Sequence, residues 1–242
     1  MIELYNEDCL KTMKRIKDGS IDLMLTDIPY GTTQNKWDIL PNLAKMWDEW
    51  ERILKPDGVW AFTAQQPTTS IIINHKLDFF RYEMVWIKNV ANGFLNKRWM
   101  PMRKHENVII FYKEKPTYNP QKSNGTPYKS KRKHRSDTGD NYNEMNRINT
   151  INSGFREPTT LLNFNVETGK HPTQKPVDLF RYLIRSYSKE GETVYDGYSG
   201  SGTTAIACIE EKRNFIGSEL DEKYFNKSMK RINIAQSQTK LF

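Results

Sequence analysis

Between residues 192 and 219, a strand, a glycine-rich turn, a helix and a second strand follow closely on one another. The segments are ETVYD, GYSGSG, TTAIACIEEK and NFIGSE. Gly200 and Gly202 allow the backbone to turn tightly and to approach a ligand closely where the helix begins. Strands that alternate with helices build a doubly wound, mainly parallel sheet. We therefore predict an α/β fold of the Rossmann-like type.

The same alternation extends over the rest of the chain. The segment 21–27, IDLMLTD, is apolar on both faces, which is typical of a buried parallel strand. Further strands are predicted at 2–8 and 58–64, and a terminal, partly antiparallel pair at 82–88 and 106–113. Apolar residues at helical spacing predict helices at 9–17, 42–54, 70–77 and 177–188, and a last helix that ends near residue 234.

The composition changes between residues 116 and 154, where Ser, Asn, Gly, Pro, Lys and Arg dominate and no apolar period persists. Segments of this length without a periodic pattern are usually functional loops or disordered. We therefore predict that 1–115 and 171–242 are two halves of one α/β domain and that 116–170 is an insert.

The positive charge is concentrated in one segment. The formal net charge is +8, yet residues 97–135 alone contain twelve Lys or Arg and two acids. A localised basic segment suggests a polyanionic partner, most commonly nucleic acid, although a solvated loop explains the charge equally well. The residues most suited to contact phosphates are Lys129, Lys131, Arg132, Lys133 and Arg135.

Several classes of protein are disfavoured. No apolar run of about 18 residues occurs, so we expect no transmembrane helix and no membrane partner. The N-terminus lacks a basic region followed by an apolar run, as a signal peptide would have. Cys9 and Cys208 lie far apart and form no CxxC, so neither a disulfide framework nor a metal site is expected. These features favour a cytoplasmic protein.

An acid follows the glycine-rich turn at the end of the next strand. Glu219 lies 17 residues beyond Gly202, and a carboxylate at this position can bind both hydroxyls of a ribose. Gly197 and Gly202 have P-loop spacing, but Thr203 occupies the position of the P-loop lysine, which argues against a triphosphate. A nicotinamide dinucleotide is the next alternative, because GSGTTA approximates GxGxxG/A.

A second turn, Asp27-Ile28-Pro29-Tyr30, closes the buried strand at 21–27. Ligands bind at the carboxyl ends of parallel strands, and Pro29 stiffens the turn. The Asp27 carboxylate and the Ile28 carbonyl are two hydrogen-bond acceptors, and Tyr30 offers a stacking face. Together they suit a planar base that carries an amino group, although an ordinary strand end would give the same four residues.

These motifs together resemble those of amino-group DNA methyltransferases. Residues 27–30 resemble (D/N/S)PP(Y/F/W), residues 196–204, DGYSGSGTT, resemble the cofactor loop DPFxGSGTT, and residues 171–176, HPTQKP, resemble the segment before it. The order of the motifs is that of the β group, and the resemblance runs from about residue 2 to 225. Ile28, Gly197 and Tyr198 depart from the usual Pro, Pro and Phe.

The resemblance implies roles for these residues. Asp27 and the Ile28 carbonyl would accept the amino hydrogens of a flipped base, Pro29 would stiffen the turn and Tyr30 would stack on the base, with direct methyl transfer and no covalent intermediate. Asp8 would contact the cofactor adenine or cap the following helix. The expected S-adenosyl-L-methionine site comprises Asp8, Cys9, Asp27, Lys175, Asp196, Tyr198, Ser199, Gly200, Ser201, Gly202, Thr203, Glu219 and Leu220. Separately from the resemblance, the polar, Gly-containing composition of 31–38 predicts a lid.

The resemblance predicts methylation of adenine N6 at a specific site in double-stranded DNA. The cytosine-N4 members usually begin the catalytic motif with Ser, so Asp27 favours adenine, and cytosine N4 is the alternative. An inert DNA-binding module on the same fold is a second alternative. In this interpretation, 1–115 is the catalytic half, 116–170 the target-recognition insert and 171–242 the cofactor-binding half. A homodimer, a cognate restriction endonuclease and a prokaryotic or phage origin are all compatible with it.

Overall fold

The computed structural model describes residues 1–32, 35, 38–130, 150–167 and 174–239. The chain forms two compact units, one of Met1–Asn119 with Thr160–Phe242 and one of Pro120–Thr159. The strands are β1 Ile2–Tyr5, β2 Ile21–Thr26, β3 Leu54–Ala64, β4 Phe80–Asn92, β5 Arg103–Phe111, β6 Ser123–Asn124, β7 Tyr128–Ser130, β8 Thr150–Asn152, β9 Phe155–Arg156, β10 Leu161–Asn163, β11 Thr193–Asp196 and β12 Asn214–Ser218. The α-helices are α1 Cys9–Met13, α2 Leu43–Ile53, α3 Thr68–His75, α4 Val177–Tyr187, α5 Thr203–Glu210 and α6 Glu222–Thr239.

Eight strands of the larger unit form one sheet, in the order β1-β12-β11-β2-β3-β5-β4-β10. Strand β5 is antiparallel to both of its neighbours, and the other strands pair in parallel. The doubly wound, mainly parallel sheet predicted from the sequence is therefore confirmed. In such a sheet both faces are covered by helices, which explains why β2 is apolar on both sides.

The predicted pair at 82–88 and 106–113 is antiparallel, but the prediction that it is terminal was wrong. Strand β10 pairs in parallel with β4 and forms the edge of the sheet, with Leu161 opposite Val85. Only three residues long, β10 is too short for its apolar pattern to stand out, although Leu162 is buried in the core.

Two helices also differ from their predicted lengths. Helix α1 ends at Met13 because the chain continues in tighter turns, in which the Ile16 N–H donates to the Met13 carbonyl at 2.9 Å. Helix α6 continues past residue 234 to Thr239. None of the helices described here has the length and apolar composition needed to cross a lipid bilayer.

Two hydrophobic clusters cover the two faces of the sheet. Along β2, Leu23 and Leu25 point to the cluster that includes α4 and α5, whereas Met24 points to the cluster that includes α2. On the α2 side, Trp47 packs edge-on against Trp50 and Trp60, with ring centroids 5.3 and 5.4 Å apart. Because these interiors are close-packed, the carboxyl end of β2 has a rigid base.

The chain order reverses between β2 and β11, which lie side by side in parallel. From β2 the sheet continues outward through β3, and from β11 it continues in the other direction through β12. A crevice at such a switch point, beyond the carboxyl ends of the strands, is where open α/β sheets bind ligands. Asp27 follows β2 and Asp196 ends β11, so both acids lie at this edge.

The smaller unit contains two short antiparallel pairs, β6 with β9 and β7 with β8. Arg156 stabilises it by donating to the Thr126 carbonyl at 2.5 Å and to Asn152 Oδ1 at 2.8 Å. The Arg156 guanidinium also lies 5.0 Å from the Tyr128 ring centroid. These polar contacts agree with the absence of apolar periodicity in this part of the sequence.

Candidate active site

The carboxylate of Asp27 is held by three donors at the carboxyl end of β2. Oδ1 accepts hydrogen bonds from Tyr30 Oη at 2.7 Å and Thr63 Oγ1 at 2.5 Å, and Oδ2 accepts from Lys175 Nζ at 2.6 Å. An ionised carboxylate offers about four acceptor positions. The donors among the described residues occupy three of these, so Oδ2 can accept one more hydrogen bond. The Asp27 side chain is 25% exposed, which leaves it accessible.

The turn after Asp27 is fixed by Asp38, which the sequence analysis assigned only to a lid. Asp38 Oδ1 accepts from the Tyr30 and Gly31 N–H groups at 2.7 and 2.8 Å, and Oδ2 accepts from the Thr32 N–H at 3.0 Å. Thr68 Oγ1 donates to the Tyr30 carbonyl at 2.8 Å. The turn is therefore held by side chains as well as by Pro29. Residues 33, 34, 36 and 37 of the predicted lid lie outside the described residues.

Next to Asp27 lies a chain of buried charges that the sequence analysis did not identify. Lys175 Nζ is 3.4 Å from Glu106 Oε2, and Glu106 Oε1 pairs with Lys88 Nζ. Burial alone would lower the pKa of Lys175, but the Asp27 and Glu106 carboxylates outweigh it and raise that pKa. Burial alone would raise the pKa of Glu106, but Lys175 and Lys88 outweigh it and lower that pKa. Lys175 is therefore protonated and Glu106 ionised at neutral pH.

In the same turn, Ile28 is buried, whereas Tyr30 is partly exposed. The Ile28 side chain is 1% exposed and packs in the α2-side cluster, and no donor among the described residues contacts its carbonyl oxygen. The Tyr30 ring has Lys175 Nζ 5.3 Å from its centroid. Burial, followed by the nearby Asp27 and Glu106, raises the pKa of Tyr30 well above its ordinary value, so its hydroxyl stays protonated and donates to Asp27.

Asp196 joins the glycine-rich loop to the end of β2. Its carboxylate accepts from Thr26 Oγ1 at 2.7 Å, Thr204 Oγ1 at 2.5 Å and the Tyr198 N–H at 3.0 Å. Burial raises the pKa of Asp196 to about 6, against these hydrogen bonds. Because Thr26 immediately precedes Asp27, this network fixes the loop relative to the catalytic turn.

Glu219 lies against the same loop. Its Oε2 accepts from the Gly200 N–H at 2.8 Å and its Oε1 from the Asp221 N–H at 2.8 Å. Asn6 Nδ2 donates to the Glu219 carbonyl at 2.8 Å and holds this segment in place, a contact that the sequence gave no reason to expect. The Leu220 side chain is 71% exposed next to it. Glu219 thus has a partly buried carboxylate beside the loop and an exposed apolar neighbour.

The loop has the properties of a ligand cradle. Gly202 has φ +79°, and a Cβ there would lie 3.1 Å from Ser228 Cβ, so a side chain is disfavoured on both grounds. Ser199 Oγ is buried and has no hydrogen-bond partner among the described residues. Since buried polar groups are normally satisfied, this hydroxyl is available to a bound ligand. Ser201 Oγ instead donates to Gln174 Oε1 at 3.2 Å.

The segment before α4 contacts both the loop and the catalytic turn. Thr203 Oγ1 approaches the Lys175 carbonyl at 3.4 Å, while the Lys175 side chain reaches Asp27. The structure thus brings Lys175 to the Asp27 carboxylate as well as to the glycine-rich loop. Residues 171–173 of the HPTQKP motif lie outside the described residues.

Two further residues of the predicted cofactor site lie where α1 begins. Asp8 caps α1, with its carboxylate accepting from the Leu10 N–H at 2.8 Å, so one of its two predicted roles is confirmed. Cys9 is buried, and burial raises the pKa of its thiol to about 11. The thiol is therefore neutral and unsuited to act as a nucleophile.

Of the five residues predicted to contact DNA, Lys129 is exposed in β7. Lys131, Arg132, Lys133 and Arg135 lie outside the described residues. Their role therefore stays a prediction from the sequence.

Comparison with known proteins identifies the family. The chain is 28% identical over 248 residues to the type II methyltransferase M.HpaI of Haemophilus parainfluenzae, covering 95% of this chain and 74% of that protein. It is 26% identical over 253 residues to the DNA adenine methyltransferase YhdJ of Escherichia coli K12, covering 96% and 83%. The solved M1.HpyAVI–SAM complex has the same fold, with a TM-score of 0.65, 23% identity and coverage of 96% and 100%. The N6/N4 methyltransferase family, described as DNA methylase, matches residues 21–230, and the chain therefore belongs to this family.

Proposed function

We propose that the protein transfers a methyl group from S-adenosyl-L-methionine to the N6 amino group of adenine in double-stranded DNA. The observation that carries this proposal is the Asp27 carboxylate, which is accessible, has one acceptor position left on Oδ2 and lies beside the glycine-rich loop. Membership of the DNA methylase family and the similarity to a DNA adenine methyltransferase support it.

In the proposed mechanism the chain orients the amino group. Asp27 Oδ2 accepts one amino hydrogen and the Ile28 carbonyl accepts the other, which directs the nitrogen lone pair toward the cofactor loop. Tyr30 stacks on the flipped base through the ring face opposite Lys175. The new N–C bond would form as the bond between the methyl carbon and the sulfonium sulfur breaks, leaving a neutral thioether. The nitrogen would then lose a proton, for which the Asp27 carboxylate is the proposed acceptor. No nucleophilic side chain is required.

The residues around the loop fit the cofactor. Bound S-adenosyl-L-methionine supplies an electrophilic methyl group. Glu219 would bind the ribose hydroxyls, and Asp8 and Leu220 would contact the adenosine part. The methionine part would be surrounded by Asp196, Ser199, Gly200, Ser201, Gly202 and Thr203, with Lys175 nearby. Cys9 and Tyr198 are the other residues proposed to contact the cofactor. The unpartnered Ser199 hydroxyl supports a polar ligand at this position.

The insert at 116–170 is proposed to contact the DNA through Lys129, Lys131, Arg132, Lys133 and Arg135, because phosphate neutralisation dominates DNA affinity. The similarity to a type II methyltransferase supports a cognate restriction endonuclease as a functional partner. A homodimer is a further prediction from the resemblance.

The test is methyl transfer from labelled S-adenosyl-L-methionine to DNA from cells that lack DNA methyltransferases, followed by nucleoside analysis. We expect label in N6-methyladenine, and sequencing that detects modified bases then identifies the target site. Label in N4-methylcytosine would show that the protein methylates cytosine N4 instead. A folded protein that binds the cofactor but labels no DNA would contradict the proposal.

A further inference from the structure

The loop that joins β4 to β5 exposes large apolar side chains. We call residues 93–102 the hairpin tip. Leu95 is 92% exposed and Trp99 is 87% exposed, and Phe94 and Met100 are exposed beside them. Single exposed apolar residues are common on protein surfaces, but a cluster of four, including a Trp, usually marks a binding surface.

The hairpin tip is structured. Its first turn is a 3₁₀-helix at Phe94–Asn96, which begins after Gly93 in the left-handed region with φ +93°. The Asn96 N–H donates to the Gly93 carbonyl at 3.0 Å, and the Trp99 N–H donates to the Asn96 carbonyl at 2.9 Å. The apolar side chains are therefore presented by a defined turn, which lowers the entropy cost of inserting them into a partner.

The hairpin tip rises from the edge of the sheet that carries Asp27. Strand β4 runs in the same direction as β2, so both carboxyl ends lie at that edge. Lys88 and Glu106 lie on the two strands of this hairpin, and Glu106 contacts Lys175, the partner of Asp27. The hairpin thus contributes to the active site at its base and projects beyond it at its tip.

The charged residues in the hairpin tip and next to it in sequence are all positive. Lys97, Arg98, Arg103 and Lys104 are exposed, and no acid occurs between residues 89 and 105. Lys97 Nζ lies 3.8 Å from the Phe94 ring centroid, so cation and apolar group share one surface. An apolar tip surrounded by cations complements DNA, which presents apolar base faces between lines of phosphates.

We propose that the hairpin tip is a wedge that inserts Leu95 and Trp99 into the base stack next to the target base. The proposal rests on the proposed function, because a base drawn to Asp27 leaves a gap in the duplex. Proteins that open base steps insert apolar side chains between them. Lys97, Arg98, Arg103 and Lys104 contact the flanking phosphates.

The test compares the double variant L95A/W99A with the wild-type chain on duplexes that contain the mapped target site. One duplex has the target base paired, and the other has an abasic site opposite it, so that less work is needed to open the site. We expect kcat/KM of the variant to fall about 10- to 100-fold on the paired duplex, the range that loss of base–aromatic stacking gives. On the abasic duplex most of this loss should disappear.

The matched control is L77A/I234A, which removes two other side chains that are 61% and 60% exposed. We expect it to behave like the wild type on both duplexes. Cofactor affinity and melting temperature of L95A/W99A should be unchanged, because the tip is solvent-exposed. An equal loss of kcat/KM on both duplexes, or no loss on either, would overturn the wedge. A change in the oligomeric state of L95A/W99A would also overturn it, because the surface would then mediate contacts between copies of the chain. If the wild-type chain methylates neither duplex, the result would instead contradict the proposed function on which the wedge rests.

Discussion

The ammonium group of Lys175 lies 2.6 Å from Asp27 Oδ2, and this contact links the segment before α4 to the catalytic turn. The same group is 3.4 Å from Glu106, which pairs in turn with Lys88. Two cations and two carboxylates therefore alternate through a buried region. Because Lys175, Tyr30 and Thr63 all donate to the Asp27 carboxylate, that carboxylate is fixed in orientation.

Replacement of Lys175 by Met should therefore disturb both stability and transfer. It leaves Asp27 and Glu106 as neighbouring carboxylates, and removing one partner of a buried pair costs about 3–5 kcal/mol of unfolding free energy. Denaturant unfolding measures this cost. The double variant Lys175→Met/Glu106→Gln removes the repulsion between the two carboxylates but leaves the buried Lys88 without its partner. It should therefore regain only part of the stability and little of the methyl transfer, since Asp27 stays without its partner. The matched control is Lys212→Met, at an exposed lysine. Full activity of the double variant would show that Lys175 does not position Asp27.

Substitution of Glu219 by Gln should weaken binding of S-adenosyl-L-methionine. Loss of a charge-assisted hydrogen bond costs about 1.5–3 kcal/mol, or roughly 10- to 150-fold in affinity. Titration calorimetry measures the affinity, and Glu222→Gln, an exposed acid three residues further on, is the control. Glu219 also accepts from the Gly200 and Asp221 N–H groups, so a thermal melt must show that the loop is intact. If the folded variant binds S-adenosyl-L-methionine with unchanged affinity, Glu219 does not bind the ribose.

The unfolding free energy of the protein should decrease as the pH rises from about 4 to 6, because of Asp196. Burial raises the pKa of this carboxyl from 3.8 to about 6. In that interval the folded state binds more protons than the unfolded state, so the unfolding free energy decreases as pH rises and levels off above pH 6. The contribution is about 3 kcal/mol at 1.36 kcal/mol per pKa unit. Denaturant unfolding at pH 4.5 and 7 should show a smaller difference for Asp196→Asn than for the wild-type chain. An identical pH dependence would contradict the prediction.

Neutralisation of Lys129, Lys131, Arg132, Lys133 and Arg135 by Gln should weaken DNA binding and reduce its salt dependence. The slope of log affinity against log salt should decrease by about 0.9 for each phosphate contact that is lost. Cofactor affinity and melting temperature should change little, because surface substitutions usually cost under about 0.5 kcal/mol. The control neutralises five exposed lysines elsewhere, Lys11, Lys14, Lys17, Lys223 and Lys230. An unchanged slope would identify the run as a solvated loop, and a collapsed melt would identify it as structural.

The fold was predictable because its signals are local. The apolar run of β2, the glycine-rich turn and the helix that follows it each depend on neighbouring residues, and their order specifies the sheet. The edge strand β10 was missed because three residues carry no readable period. The position of β10 is determined by its pairing with β4, a strand that is distant in sequence.

The residues of the candidate site were predictable only where they belong to a short, continuous sequence motif. Asp27, Asp196 and Glu219 end strands or follow them, and their position at the sheet edge follows from the topology. Glu106 and Lys88 were missed because they lie on β5 and β4, far in sequence from Lys175 and Asp27. The one available signal was that Glu106 is one of two acids in a basic segment. Asp38 is separated from the turn it holds by several residues and follows no motif.

The rate of methyl transfer by Asp27→Asn, at saturating cofactor and target DNA in a single turnover, tests the role of the Asp27 carboxylate most directly. Asparagine keeps the size of the side chain but replaces one acceptor oxygen by a donor, and Asp57→Asn, at an exposed acid, is the control. We predict a decrease of at least about a hundredfold, as for other losses of orientation at a reacting group, with cofactor affinity unchanged in calorimetry. Formation of N6-methyladenine at the wild-type rate by this variant would contradict the prediction.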